Sequence, residues 1–260
     1  MRLLAFEVPR IHHADAVTLH GFLSLDRPSI HPLASAVANV ASPAPYGLIG
    51  LGLIAIAVLR RRVRVAAAVA TILLGAAVTT DYVLKPLLSS PRFDAVLGSF
   101  QIPNASFPSG HATASMALAL CAILVSSPRW RPYVAALGAA FAVAVSYSFL
   151  SLDWHYPSDV LGGYLVAATW TALAVAALRF SDARWPARTG REAAGRVLSR
   201  VEARAFAVGL AGLVLAAGAL LAAMHPAFVR AHTIFVAGAG AIALASLAVA
   251  GALAALLRDS

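Results

Sequence analysis

The sequence predicts an all-α protein, a polytopic membrane helix bundle, and three observations carry that prediction. Of 260 residues 60% are hydrophobic and only 12% charged, with a mean hydropathy of +0.81, more apolar surface than a soluble fold of this size can hide. The apolar residues gather in runs of membrane-spanning length. The basic residues, which produce a formal charge of +9, cluster in short segments between those runs, as membrane topology requires. That placement argues against nucleic acid as a partner.

Residues 1–43 mix Asp15, His20, Asp26, Arg27 and His31 with short apolar patches, too interrupted to span hydrocarbon, so interfacial helices are expected there. Glu7, Pro9 and His12-His13 break any continuous apolar core of signal-peptide type. The first span is read at Tyr46 to Leu59, stopped by Arg60-Arg61-Arg62, and the second at Val65 to Leu84, ending on Lys85. A polar connection with Pro86, Pro91, Arg92 and Asn104 leads to a third span, Ser109 to Val125, which carries the single cysteine, Cys121. With one cysteine there is neither an internal disulfide nor a cysteine metal framework. A fourth span covers Tyr133 to Leu150, the link Ser151 to Pro157 follows, and a fifth covers Ser158 to Leu178. The segment Arg179 to Arg204 holds seven arginines and reads as a surface linker, interrupted by Pro186 and Gly190. Spans at Ala205 to Met224 and Thr233 to Leu257 close the chain.

The loops after the first, third and fifth spans, with the C-terminal residues, hold 14 of the 20 Lys and Arg. By the positive-inside tendency these loops are cytoplasmic. Lys85, Arg92, His111 and the 151–157 link therefore face outward, an orientation fixed without reference to any motif.

Three separate segments bring chemistry to that outer face. Lys85, the only lysine, and Arg92 stand at the mouth of the second span, with Asp81 one turn before Lys85 as an i,i+4 partner. Phe107-Pro108-Ser109-Gly110-His111 opens the third span; Ser109 is a natural N-cap, and a helix N-terminus offers bare N–H groups to an anion. His155 and Asp159 lie four apart at the start of the fifth span, where the carboxylate can take the Nδ1 proton and leave Nε2 as nucleophile. Singly, each has a structural reading: a snorkelling anchor, a helix start, an interfacial histidine. Together they form a phosphoryl-transfer set. Lys85 and Arg92 neutralise non-bridging oxygens, Ser109 and the Gly110 and His111 amides cap others, His155 attacks phosphorus, and His111 protonates the leaving alkoxide.

These residues resemble the type 2 phosphatidic acid phosphatase superfamily, whose membrane members share a site with the vanadium haloperoxidases. The family pattern Lys, six residues, Arg-Pro is matched by Lys85 and Arg92, with Phe93 in place of the proline. Pro-Ser-Gly-His is matched in full by Pro108 to His111. Ser-Arg, five residues, His, three residues, Asp is matched by Ser148, His155 and Asp159, with Phe149 where the family has arginine. The resemblance implies a five-span phosphatase-like core over 44–180, with the interfacial segment 1–43 before it. The Arg-rich linker 181–204 and a two-helix extension, 205–260, follow. It further implies catalytic His155, His111 and Asp159, phosphate binding by Lys85, Arg92, Ser109 and Gly110, and hydrolysis with no metal and no cofactor. The expected substrate is a lipid phosphate, polyprenyl or phosphatidate-like, met among membrane lipids at the extracytoplasmic face of the cell membrane. Phosphotransfer from the same phosphohistidine and non-catalytic phospholipid binding stay open, as does oligomeric state. Phe149 removes one charge-assisted phosphate contact, worth about 1.5–3 kcal/mol. Arg10 or Arg27 would replace it if the N-terminal segment folds over the outer face.

Overall fold

The computed structural model describes residues 6–92, 94–98, 102–185 and 225–257, and among them every regular element is helical. In chain order the elements are α1 (Pro9–Leu23), α2 (His31–Asn39), α3 (Pro43–Leu59), α4 (Val63–Val78), α5 (Gly110–Val125), α6 (Arg131–Ser151), α7 (Pro157–Arg184), α8 (Pro226–Ala231) and α9 (Thr233–Leu256). Proline stands in the first turn of α1, α2, α3, α6, α7 and α8, where its missing N–H costs nothing and its fixed φ starts the helix.

The bundle is built around α5. Nearly all its side chains are buried, against α6 and α7 above all and against α3 and α4. It needs no polar face: the run from Met116 to Val125 is apolar all round because neighbours surround it, and the hydroxyls of Thr113 and Ser115 bond backbone carbonyls at Ser109 and Ala112. At 16 residues it is about 24 Å long, shorter than a typical hydrocarbon core. Glycine lets α7 come close at its start. A Cβ on Gly163 would lie 2.7 Å from the Ser109 carbonyl oxygen and 2.8 Å from the Thr113 nitrogen, and one on Gly162 would meet the Phe107 ring at 2.8 Å.

Among the described residues four helical stretches are long and apolar enough to cross a membrane: Val63–Leu88, Arg131–Ser151, Pro157–Arg184 and Thr233–Leu256. These correspond to the second, fourth, fifth and seventh expected spans. The first expected span is α3, which is joined to α2 at a 48° bend; counted as one broken span, the pair makes five. The third is the short α5, and the sixth lies outside the described residues. The seven-span expectation is thus met in part. Residues 31–39, read as interfacial, form the outer arm of the bent pair.

Arg60, Arg62, Arg64, Arg131 and Arg179 collect at the end of the bundle where α5 finishes. Arg60 and Arg62 donate to the Val125 carbonyl at 3.2 and 2.9 Å, Arg64 pairs with Asp182 at 2.7 Å, and Arg131 and Arg179 donate to the carbonyls of Leu257 and Leu256. Carbonyls at helix C-termini lack intrahelical partners, and cations there also meet the negative end of the helix dipole. His111 sits at the opposite end of α5.

Candidate active site

The Pro108-Ser109-Gly110-His111 corner begins α5. Ser109 is the N-cap, its hydroxyl accepting from the Ala112 N–H at 3.2 Å, while its own N–H donates to the Asp159 carbonyl at 3.0 Å. This last bond ties the corner to the first turn of α7. The Phe107–Pro108 peptide bond is cis.

The end of α4 changes register before reaching the same corner. Thr79–Leu84 winds as a π-helix and Lys85–Leu88 returns to α-helical geometry, the kind of local rewinding that often marks a functional site. Thr80 bonds Thr113 of α5 at 3.2 Å, and Trp170 of α7 donates to Thr79 at 3.0 Å. Asp81 and Lys85 then come together, Nζ to Oδ1 at 2.7 Å. Gly110 leaves room for both, since a Cβ there would lie 3.3 Å from each of those atoms. Asp81, Lys85, Gly110, His111 and Tyr46 line a cavity of about 230 Å³.

His111 projects into this cavity from the first turn of α5. Its Nε2 lies 3.4 Å from the hydroxyl of Ser42, the N-cap residue of α3. Ser42 donates its single proton to Asn39 Oδ1 at 3.0 Å, which leaves its oxygen able to accept from His111 Nε2 whenever that nitrogen carries a proton. Phe149 of α6, wholly buried, stands between the histidines: its ring centroid is 6.0 Å from that of His111 and 5.3 Å from that of His155. Trp154 covers His111 at 5.2 Å.

His155 precedes α7, and its Nδ1 lies 3.4 Å from Asp159 Oδ2. The same carboxylate oxygen accepts the Tyr156 N–H at 3.0 Å, so Asp159 caps the helix that carries it while holding the imidazole. Asp159 Oδ1 takes Arg92 at 2.5 Å. Arg92 is 6% exposed, and both its terminal nitrogens are engaged: NH1 also reaches Asp15 at 3.3 Å and Ser158 at 3.0 Å, and NH2 reaches Ser106 at 2.9 Å. The Tyr156 ring stacks on it at 3.8 Å. Removing one member of such a buried ionic cluster leaves an uncompensated charge and costs about 3–5 kcal/mol.

The sequence-predicted residues thus fall into two connected groups. Lys85, Gly110 and His111 border the cavity; Arg92, His155 and Asp159 form a hydrogen-bonded line beside it; Ser109 joins the two. Phe93 lies outside the described residues. Arg10 and Arg27 are exposed; what α1 brings inward is Asp15. Sequence reasoning missed Asp15, Ser42, Ser106, Ser158 and the Gly162-Gly163 pair. Asp15 alone left a trace, a charged residue in the stripe Asp15, Thr18, Leu19 and Phe22 that α1 buries. Among the described residues no three His, Cys, Asp or Glu side chains gather as a metal site.

Among the described residues three groups outside the spans are shifted, one of them Tyr156, whose phenol is pushed up to about 12 by burial. Burial pushes the Asp15 carboxyl up from 3.8 to about 7, against the opposing pull of Ser158 and Arg92. Burial also raises Asp153, whose Oδ1 has no hydrogen-bond partner and whose φ is +62°.

The comparison with known families gives this arrangement a coarse context. Residues 64–183 match the model of the PAP2 superfamily, consistent with membership of that superfamily. The match runs from α4 to the end of α7 and contains each of the predicted site residues, while α1–α3 and α9 lie outside it. No curated protein and no solved structure shows a significant match. PAP2 superfamily proteins are in general phosphatases, which supports phosphoric ester hydrolysis as the coarse activity of a multi-helix membrane protein.

Proposed function

We propose that the chain is an integral membrane lipid phosphatase that works through a phosphohistidine on His155. The observation that carries the reading is the line from Arg92 to Asp159 to His155, set beside a second histidine and a helix N-terminus. Asp159 holds the Nδ1 proton, so the Nε2 lone pair faces phosphorus. In the first step Nε2 forms a bond to phosphorus as the bond from phosphorus to the lipid oxygen breaks. His111, which must enter the step as imidazolium, passes one proton to that oxygen and is left as neutral imidazole, and the lipid alcohol leaves. In the second step water attacks the phosphohistidine, His111 takes the water proton, the P–N bond breaks and phosphate departs. Charge on the non-bridging oxygens is met by the Gly110 and His111 amides at the α5 N-terminus and by Lys85. Arg92, committed to Asp159 and Asp15, acts through Asp159 unless a phosphate draws it away.

The substrate class is a phosphomonoester or diphosphate lipid, polyprenyl or phosphatidate-like. With Phe149 neutral, Lys85 paired to Asp81 and Arg92 internally engaged, a single phosphate suits the site better than a diphosphate. The site is assigned to the extracytoplasmic face of the cell membrane, because the arginines gather at the other end of α5. A second reading, a protein that binds phospholipid without turnover, draws on Phe149 filling the space between the histidines. Acid-free quenching of protein mixed with ³²P-labelled phosphatidate and a labelled polyprenyl phosphate separates the two. The phosphatase reading expects label on the peptide containing His155, labile to acid and absent in His155→Ala. Bound lipid with no labelled peptide would favour the second.

A further inference from the structure

We propose that Asp15 is a positioning residue for His155: it shares the Arg92 guanidinium with Asp159 and so sets how much negative charge Asp159 keeps for the His155 Nδ1 proton. This rests on the reading of His155 as the nucleophile, yet Asp15 belongs to α1, outside the matched segment 64–183. The connection is continuous in hydrogen bonds. Asp15 Oδ1 accepts the Ser158 N–H at 2.8 Å, and Oδ2 accepts the Ser158 hydroxyl at 2.6 Å and Arg92 at 3.3 Å. Arg92 in turn holds Asp159, which holds His155.

Packing alone does not explain the residue. The other side chains that α1 buries are Ala16, Thr18, Leu19 and Phe22, and the groove beside Asp15 is closed on the α9 side by Ile234, Gly238, Ala241 and Ile242. A carboxylate in that setting is costly, and its hydrogen bonds all lead to the first turn of α7 or to Arg92. The charged and titratable groups around it are Arg92, from the segment after α4, and Asp159 and Tyr156, at the start of α7. On α1 itself His12 and His13 precede it, with His13 turned to Asp94 at 3.2 Å.

The consequence is a dependence on pH in the neutral range, where burial places the Asp15 titration. Protonated, Asp15 gives up its claim on Arg92, which then neutralises Asp159 more completely. Ionised, it draws Arg92 part of the way back. Asp159 is left a stronger acceptor for the His155 proton, and Nε2 becomes a better nucleophile.

The test reads nucleophilicity directly, without turnover. Full-length protein in detergent micelles receives short pulses of diethylpyrocarbonate, which acylates neutral imidazole, and the peptides are quantified by mass spectrometry with exposed His225 as internal reference. At pH 8, Asp15→Asn is expected to slow acylation of His155 by roughly threefold, the scale of one partly shared charge-assisted hydrogen bond. At pH 6 the difference from wild type closes. Ser158→Ala releases Asp15 toward Arg92, so His155 there reacts as fast as in wild type or faster; a general loss of packing would slow both variants alike. An unchanged His155 rate in Asp15→Asn, or equal slowing in both variants, overturns the proposal. Phosphate release measured on the same samples separates the two claims. Slower acylation in Asp15→Asn with no release by wild type keeps the coupling and removes the phosphatase reading. Release by wild type with unchanged acylation does the reverse.

Discussion

Replacing Gly163 by alanine is expected to damage the site from a distance, and the size of the effect follows from three contacts. The new methyl would lie 2.7 Å from the Ser109 carbonyl oxygen, 2.8 Å from the Thr113 nitrogen and 2.9 Å from the Ala112 Cβ. Ordinary contact between such atoms is about 3.5 Å, so α7 and the start of α5 must separate by about 0.5–0.8 Å. Two of the three obstacles are backbone atoms, which cannot rotate away. Overpacking of this kind costs about 1–3 kcal/mol. Separation also stretches the bond from the Ser109 N–H to the Asp159 carbonyl, 3.0 Å long, which fixes His111 relative to His155. Since a misplacement of about 1 Å can cost around 100-fold in rate, a fall in kcat of about tenfold is expected. The assay is phosphate release in detergent, with thermal melting of the same preparation. Gly52→Ala is the control, because a Cβ at Gly52 meets nothing within 4 Å and both readouts should stay at wild type. Wild-type kcat and melting temperature in Gly163→Ala would refute the claim that this close approach positions the histidines.

Other expectations rest on the charges. Phe149→Arg puts a cation between two histidines in a fully buried position, so the melting temperature should fall without ligand and recover in inorganic phosphate; substrate affinity should rise by about 1.5–3 kcal/mol, and a KM equal to wild type would contradict this. Asp81→Asn frees Lys85 for phosphate, and because the Asp81 and Lys85 side chains are 47% and 26% exposed, the gain should be modest, a KM about threefold lower that fades with added salt. The Asp15 carboxyl, raised to about 7, favours its protonated form in the folded protein. Its contribution to stability is complete below the ordinary value of 3.8 and lost as pH rises through about 7, so the wild-type melting temperature should decline over that range more steeply than that of Asp15→Asn.

How much of this was legible in the sequence differs from element to element. Helices α4, α6, α7 and α9 announced themselves because a span must satisfy every backbone group internally and so reads as one long apolar run. The Arg60 to Arg64 cluster, with Arg131 and Arg179, gave one end of the bundle its sign. Ser109, His111, His155 and Asp159 were readable because local spacing fixes their geometry: an N-cap bonds within its own turn, and i,i+4 residues share a helix face. The stripe around Asp15 left a trace, but its role was not readable, since its partners Arg92 and Ser158 are 77 and 143 residues away and depend on where α1 docks. Ser42 meets His111 only because α2 and α3 meet at a bend, and a serine before proline looks like any helix start. The commitment of Arg92 to internal carboxylates was hidden for the same reason. A motif records which residue occupies a position and says nothing of the partners the rest of the fold brings to it.

The most direct test of the account is phosphate release from a panel of lipid phosphates by purified protein with EDTA present, comparing wild type with His155→Ala. The account predicts release that survives EDTA and disappears in His155→Ala. Release abolished by EDTA, or retained at the wild-type rate without His155, would contradict it.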